Sequence, residues 1–262
     1  MQFGMPTLIE IDDLEDTMKF CKTLGLTFIE LNMNLPQYQT ERLENISHLK
    51  SLKEKYGIGY TIHLDENLNA CDFNKAVAAA YSDTVTRTVR VARALDAPIL
   101  NLHMNHGVHF TLPERKVFLF ERYFEDYMES WKNFCALCEN AIGDSEIKIC
   151  IENTDGYKDF EKSAIEYALQ SKAFGLTWDI GHSNAVAHID EKFILDNGGK
   201  LRHFHIHDSL GKSDHLALGD GEIDLFERLG VAESRQCRCV IETKTAESLK
   251  KSVSWLKENG FM

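Results

Sequence analysis

Short stretches in which apolar and polar residues alternate recur along the chain, and each leads into a longer stretch with apolar residues three or four positions apart. Period two is what a strand with one buried face requires, and the longer spacing is that of an amphipathic helix. Strands are predicted at Gln2–Pro6, Thr27–Asn32, Ile58–Leu64, Pro98–Met104, Ile147–Asn153, Phe174–Ile180, Leu201–Asp208 and Arg238–Thr243. Between them, Phe73–Leu95 carries Val77, Ala80, Tyr81, Thr84, Val85, Thr88, Val89 and Ala92 at helical spacing, and Val117–Ile142 and Ala246–Asn259 read the same way. Strand–helix alternation builds a parallel sheet. Eight units with no strand left over predict an α/β fold closed into a single (β/α)8 TIM barrel. No Pro/Ser-rich linker, charge block or low-complexity segment interrupts the alternation, so residues 1–262 are expected to form one domain.

Parity within the strands separates a scaffold face from a chemical face. In Tyr60-Thr61-Ile62-His63, Leu100-Asn101-Leu102-His103, Ile149-Cys150-Ile151-Glu152, Leu176-Thr177-Trp178-Asp179 and Cys239-Val240-Ile241-Glu242, the bulky apolar residues share one parity and the final residue has the other. Phe28-Ile29-Glu30 follows the same rule. With the apolar parity turned towards the helices, Glu30, His63, His103, Glu152, Asp179, His205 and Glu242 point inward. They do so at the C-terminal ends of their strands, where barrel enzymes place their chemistry.

Leu201–Gly221 is the densest of these stretches. Leu201, His203, His205 and His207 share one side of the predicted strand, with Arg202, Phe204 and Ile206 on the other and Asp208 at the end. Imidazole is the commonest side-chain metal ligand. Glu152, Asp179, His205 and Glu242 end four consecutive strands, and three carboxylates with one imidazole suit Mn²⁺, Co²⁺, Mg²⁺ or Zn²⁺. A single acid after a strand is often a helix N-cap, a role open to Glu242-Thr243. Converging carboxylates, however, repel unless a cation sits among them. His63, His103, His182 and His215 surround the group as further metal or substrate ligands, or as loop caps. His203 is expected deeper in the barrel as a hydrogen-bonded core histidine; His48, His106, His109 and His188 receive no functional assignment.

A formal net charge of −12 and a pI near 5.4 disfavour nucleic acid and anionic membrane as partners. The stretch MQFGMPTLIEIDD lacks a basic run followed by an apolar one, so no signal peptide is expected. No apolar run approaches the roughly 18 residues of a membrane span. The seven cysteines are odd in number and sit inside apolar segments, which is expected of reduced thiols in a cytoplasmic protein. Cys135-Ala-Leu-Cys138 lies in a helical pattern and is read as helix packing.

The motifs Glu-Asn-Thr at 152–154, Trp-Asp-Ile-Gly-His at 178–182, His-Ile-His-Asp at 205–208, Gly-Asp-Gly-Glu-Ile-Asp at 219–224 and Ile-Glu-Thr at 241–243 resemble the xylose isomerase-like barrel superfamily over nearly the whole chain. That group includes sugar and sugar-phosphate isomerases and epimerases, inosose dehydratases and endonuclease IV. The resemblance to the epimerases implies one metal held at Glu152, Asp179, His205 and Glu242, with the two glutamates also acting as acid and base. The resemblance to endonuclease IV implies a three-metal cluster that adds His63, His103, His182 and His215. Its Asp-x-His pair would need a carboxylate where this chain has Ser213. The turn at Gly219 and Gly221 is structural in either case and leads into the seventh helix.

The reading that follows is a metal-dependent isomerase or epimerase of a small carbohydrate, a sugar or sugar phosphate. The ion would bind the carbonyl oxygen and a neighbouring hydroxyl, and Glu152 and Glu242 would remove and return the adjacent proton as an enediolate forms. Glu30, His182, Asp208 and Lys244 are the expected substrate contacts. The first alternative is an endonuclease IV-like cleavage of abasic DNA, for which Lys200, Arg202 and Lys212 make a sparse phosphate track. The second is a non-catalytic metal- or sugar-binding barrel, which has no need of both glutamates. A homo-oligomer is compatible with the sequence.

Overall fold

The computed structural model describes residues 1–262. Its centre is a closed barrel of eight parallel strands in sequential order. These are β1 (Gln2–Pro6), β2 (Phe28–Asn32), β3 (Gly59–His63), β4 (Ile99–His103), β5 (Lys148–Glu152), β6 (Phe174–Asp179), β7 (Leu201–Ile206) and β8 (Arg238–Ile241). β1 pairs with both β2 and β8, which closes the ring. Each strand lies inside its predicted range and is at most two residues shorter at its C-terminal end.

The helices Leu14–Leu24, Ile46–Tyr56, Lys75–Leu95, Phe124–Ile142, Asp159–Ala168, Leu225–Ser234 and Ala246–Glu258 surround the ring. Several begin where the sequence supplies an acceptor: the side chains of Asp13, Asn74, Asp224 and Thr245 accept first-turn backbone N–H groups. Because Thr245 caps the last helix, Glu242 is free of that role. No helix is long and apolar enough to cross a membrane. All seven cysteines are free thiols and buried.

One predicted helix is broken. Val117 lies in a strand, Lys116–Phe118, that pairs antiparallel with His109–Thr111 as a hairpin beyond β4. A short helix, Leu119–Arg122, follows, and the long helix starts only at Phe124. The apolar residues that extended the helical pattern serve different contacts. Phe118 and Phe120 pack against Phe160, and Phe120 stacks on Tyr127 with ring centroids 4.6 Å apart. Gly107, at φ +67, allows the turn, since a Cβ there would lie 2.6 Å from the Phe120 ring.

Parity sorts the side chains as the alternation requires except at Phe28, which shares the parity of Glu30 and turns inward with it. Tyr60 Oη donates to Leu49 O at 3.0 Å in the helix layer, and Trp178 Nε1 donates to Ser183 Oγ at 2.9 Å. On the other parity, Thr61 Oγ1 donates to Glu30 Oε2 at 2.8 Å, and Thr177 Oγ1 donates to Asn101 Oδ1 at 2.5 Å, both inside the barrel. Lower in the ring, the Phe28 ring fills the space that a β1 side chain would take. A Cβ on Gly4 would meet it at 2.5 Å. This packing accounts for the glycine at the centre of β1. Gly4→Ala should therefore destabilise the barrel by about 1–3 kcal/mol, the usual cost of overpacking a core. Urea unfolding of the variant beside the wild type measures it, and an unchanged midpoint would disprove the close packing.

Candidate metal centre

β5, β6 and β7 and the turn after β8 bring Glu152, Asp179, His205 and Glu242 together at the C-terminal mouth. One donor atom from each lies within 4.8 Å of all the others. His205 Nδ1 is 3.0 Å from Glu242 Oε2, 3.2 Å from Glu152 Oε1 and 3.9 Å from Asp179 Oδ2. Glu152, Asp179 and His205 are fully buried, and the Glu242 side chain keeps 15% of its exposure. Glu152 Oε1, His205 Nδ1 and Glu242 Oε2 have no hydrogen-bond partner. Buried polar atoms are nearly always paired. Three unpaired ones facing each other, two of them carboxylate oxygens, fit a cation-binding set.

The remaining atoms of these residues are held. Asp179 is the N-cap of Ile180–Ala185, and its Oδ1 accepts from His182 N at 2.7 Å. Asn153 brackets Asp179: its Oδ1 accepts from Asp179 N at 2.8 Å, and its Nδ2 donates to Asp179 O at 2.9 Å. Asn153 Nδ2 also reaches Ser183 Oγ at 3.1 Å and Asp190 Oδ2 at 3.0 Å. His207 Nε2 lies 3.0 Å and 3.1 Å from the two oxygens of Asp179. It comes that close because residue 181 is glycine; a Cβ there would be 1.9 Å from the imidazole. Glu152 Oε2 accepts from Asn101 Nδ2 and lies 3.1 Å from His103 Nε2 and 3.6 Å from His63 Nε2.

Two further donor groups flank the first: His63 with Glu152 and His205, and His182 with His207 and His215. His63 Nδ1 faces Leu64 O at 2.7 Å, which turns Nε2 to Glu152. His182 Nδ1 is 3.2 Å from Asp179 Oδ2. After β7, Asp208–Leu210 and Ser213–Leu216 form an antiparallel hairpin in which His215, at φ +53, sets Nδ1 3.0 Å from Glu242 O. Lys244 is exposed, with Nζ 3.9 Å from Glu242 Oε1. Pro6, Thr7, Asn32, Glu242 and Lys244 line a cleft of ≈ 520 Å³ beside the cluster.

Two expected substrate contacts are turned elsewhere. Glu30 is buried at 1% exposure below the mouth. Its oxygens are taken by His205 Nε2 at 2.8 Å, His203 Nε2 at 2.9 Å and Thr61 Oγ1. Asp208 is spent on the loop after β7, accepting from the backbone N–H of Ser209, Gly219 and Ile223 at 2.9, 2.9 and 3.2 Å. Gly221 permits this, since a Cβ would sit 2.3 Å from Asp208 Oδ1. His207, Asn101 and Asn153 had no predicted role. His207 and Asn101 share the inward parity of their neighbours, a signal that could have found them; Asn153 has no such signal.

Charge follows this geometry. Burial opposes the charged form of Glu152 and Glu242, but the adjacent His205, with His103 beside Glu152, holds both carboxyls well below the usual range. Burial likewise opposes the His205 imidazolium, yet Glu152, Glu242 and Glu30 push its pKa well above the ordinary value. Against the same burial, Glu152 raises His63 to about 9, and Asp179 and Glu152 raise His182 to about 10.

A family model described as xylose isomerase-like TIM barrel matches residues 18–259. The chain belongs to the xylose isomerase-like TIM barrel family. An uncharacterized protein of Methanocaldococcus jannaschii is 26% identical to this xylose isomerase-like barrel over 273 residues, spanning 98% of this chain and 89% of that protein. Among solved structures, a D-tagatose 3-epimerase-like protein has a TM-score of 0.78 at 24% identity, covering 98% of this chain and 96% of its own. An L-ribulose 3-epimerase has 0.73 at 18%, covering 99% and 94%. The IOLI protein, solved with a zinc atom, has 0.76 at 14%, covering 100% and 98%.

The folded pKa values of His63 and His182, about 9 and about 10, exceed the 6.5 of an unperturbed imidazole. Their contribution to stability is therefore complete below about 6.5 and is lost as pH rises through 9–10. The lowered Glu152 and Glu242 contribute above the ordinary carboxyl range and lose that contribution in acid. Metal-stripped protein should thus be most stable between about pH 5 and 6.5 and lose melting temperature into alkali. A flat alkaline limb in a melting series would contradict this charge arrangement.

Proposed function

We propose that this xylose isomerase-like barrel is a divalent-metal-dependent isomerase or epimerase of a small sugar or sugar phosphate, with Glu152 and Glu242 as acid and base. The observation that carries the reading is the set of three buried, partnerless donor atoms on Glu152, His205 and Glu242. The likeness in fold to a D-tagatose 3-epimerase-like protein, an L-ribulose 3-epimerase and the zinc-containing IOLI protein supports it. Mn²⁺, Co²⁺, Mg²⁺ or Zn²⁺ held by Glu152, Asp179, His205 and Glu242 would polarise the substrate carbonyl and offset the charge developing on its oxygen.

The protein residues supply proton transfer and orientation. Glu152 and Glu242 come from β5 and β8, on either side of His205. One takes the proton from the carbon beside the carbonyl, and the other returns a proton to the opposite face. Their surroundings hold both carboxyls ionised, as the base requires, so the partner that acts as acid takes up a proton from solvent before returning it. Glu242 Oε1 borders the cleft with Lys244, and His182 and Lys244 are the side chains to grip substrate hydroxyls or an anionic group. Asn101 and His103 keep Glu152 from swinging away from the reacting carbon.

Asp179→Asn or His205→Ala should lose the bound ion, measured by elemental analysis of protein purified without chelator. Full occupancy in either variant would rule out this ligand set. Glu152→Gln or Glu242→Gln should each lower kcat by about 10²–10⁴-fold, the typical weight of a general acid or base. Turnover of a ketose panel in deuterated water should place solvent deuterium on the carbon beside the carbonyl. Turnover without it would point to hydride transfer. The flanking groups built on His63, His182 and His215, with His103 beside Glu152, favour a second reading, endonuclease IV-like cleavage of abasic DNA. Two or three zinc ions per chain and strand cleavage with no sugar turnover would establish that reading instead.

A further inference from the structure

The two ring nitrogens of His205 face opposite surroundings. Nδ1 looks into the carboxylate cluster, 3.0 Å from Glu242 Oε2 and 3.2 Å from Glu152 Oε1, with no hydrogen-bond partner. Nε2 looks down the barrel at Glu30 Oε1, 2.8 Å away. An ionised carboxylate only accepts hydrogen bonds, so a neutral His205 paired with Glu30 carries its proton on Nε2. The other tautomer would set the Nε2 lone pair against a carboxylate oxygen at hydrogen-bond distance, a repulsive contact in a site closed to water.

We propose that Glu30 is a positioning residue that fixes the Nε2–H tautomer of His205, so that Nδ1 alone presents a lone pair to the divalent ion. This rests on the metal-dependent reading above. Glu30 is itself built in place. Its Oε2 accepts from His203 Nε2 at 2.9 Å and from Thr61 Oγ1 at 2.8 Å, which leaves Oε1 for His205. Contacts from β3 and both histidines of β7 thus fix the carboxylate on β2. At 1% exposure Glu30 is buried and does not line the cleft. A carboxylate behind a metal-binding imidazole also makes the ring a stronger donor, and losing such a partner typically costs about 10–100-fold in metal affinity.

The test uses Zn²⁺, which is diamagnetic, and ¹⁵N-labelled protein. Long-range ¹H–¹⁵N spectra of the Zn²⁺-loaded wild type should show His205 protonated at Nε2 and metal-shifted at Nδ1. Glu30→Ala should bind Zn²⁺ about 10–100-fold more weakly in competition with a chelating dye. Glu30→Gln can offer its amide oxygen to His205 and its NH₂ to Thr61, so it should recover part of the affinity and keep the Nε2–H signature. Should Glu30→Ala fail to fold, the wild-type spectrum still decides. Zn²⁺ bound through Nε2 would overturn the proposal while leaving the metal centre standing. A folded Glu30→Ala with wild-type affinity and tautomer would do the same. Failure of the wild type to bind any divalent ion would overturn the metal reading and this proposal together.

Discussion

Removing carboxylates from water is costly, and leaving several of them near one another is costlier still. Glu30, Glu152, Asp179 and Glu242 all lie near the single ring of His205, and the surrounding structure answers that repulsion. Glu30 is satisfied by two imidazoles and a hydroxyl. Asp179 has a helix N-terminus, His207 and the Asn153 bracket. Glu152 has Asn101 and His103 on one oxygen only, and Glu242 has His205 and a distant lysine. The unanswered remainder is the facing set of Glu152 Oε1, Glu242 Oε2 and His205 Nδ1. Positive charge must enter there, either as protons on His205 and its neighbours or as a bound cation. Protonation of His205 and its neighbours therefore makes stability depend on pH, and a cation bound there would compete with those protons.

The sequence carried the barrel well because a strand's geometry repeats every two residues. Once Tyr60 and Trp178 are assigned to the helix side, Thr61, Thr177 and the strand-end acids follow by parity alone. The four central donors were legible for the same reason. Depth and hydrogen-bond economy were less so. Glu30 shares the parity of Glu152 and Glu242 but sits mid-strand, one layer lower, where His203 and His205 use up its oxygens. Asp208 has the look of a site residue, yet the turn through Gly219 and Gly221 brings three N–H groups onto it. Val117 fitted a helical pattern because Phe118 and Phe120 are apolar in their own right, as the aromatic packing under a hairpin requires.

The two sides of the cluster differ. Towards β3 and β4 the histidines His63 and His103 close against Glu152, with their rings edge to face at 4.8 Å. Towards β1, β2 and β8 lies the open cleft bordered by Thr7, Asn32 and Lys244. A substrate entering from that side would meet Glu242 before Glu152. One parity rule thus produces a packed wall and an open one, because loops rather than strands determine what stands above each.

Glu242 follows the strand that also forms the closing seam of the ring, where Gln2, Phe3 and Gly4 pair with Arg238, Cys239 and Val240. This is the pairing most distant in sequence, and contacts across long chain separations are the slow ones in folding. The seam does not carry the donor set, however. β8 also pairs with β7, and Glu242 N donates to Ile206 O at 3.0 Å, so all four donors come from strands that pair in chain order, β5 to β8. The cluster can therefore assemble within one half of an open ring, and closing the seam adds only the Pro6 and Thr7 side of the neighbouring cleft.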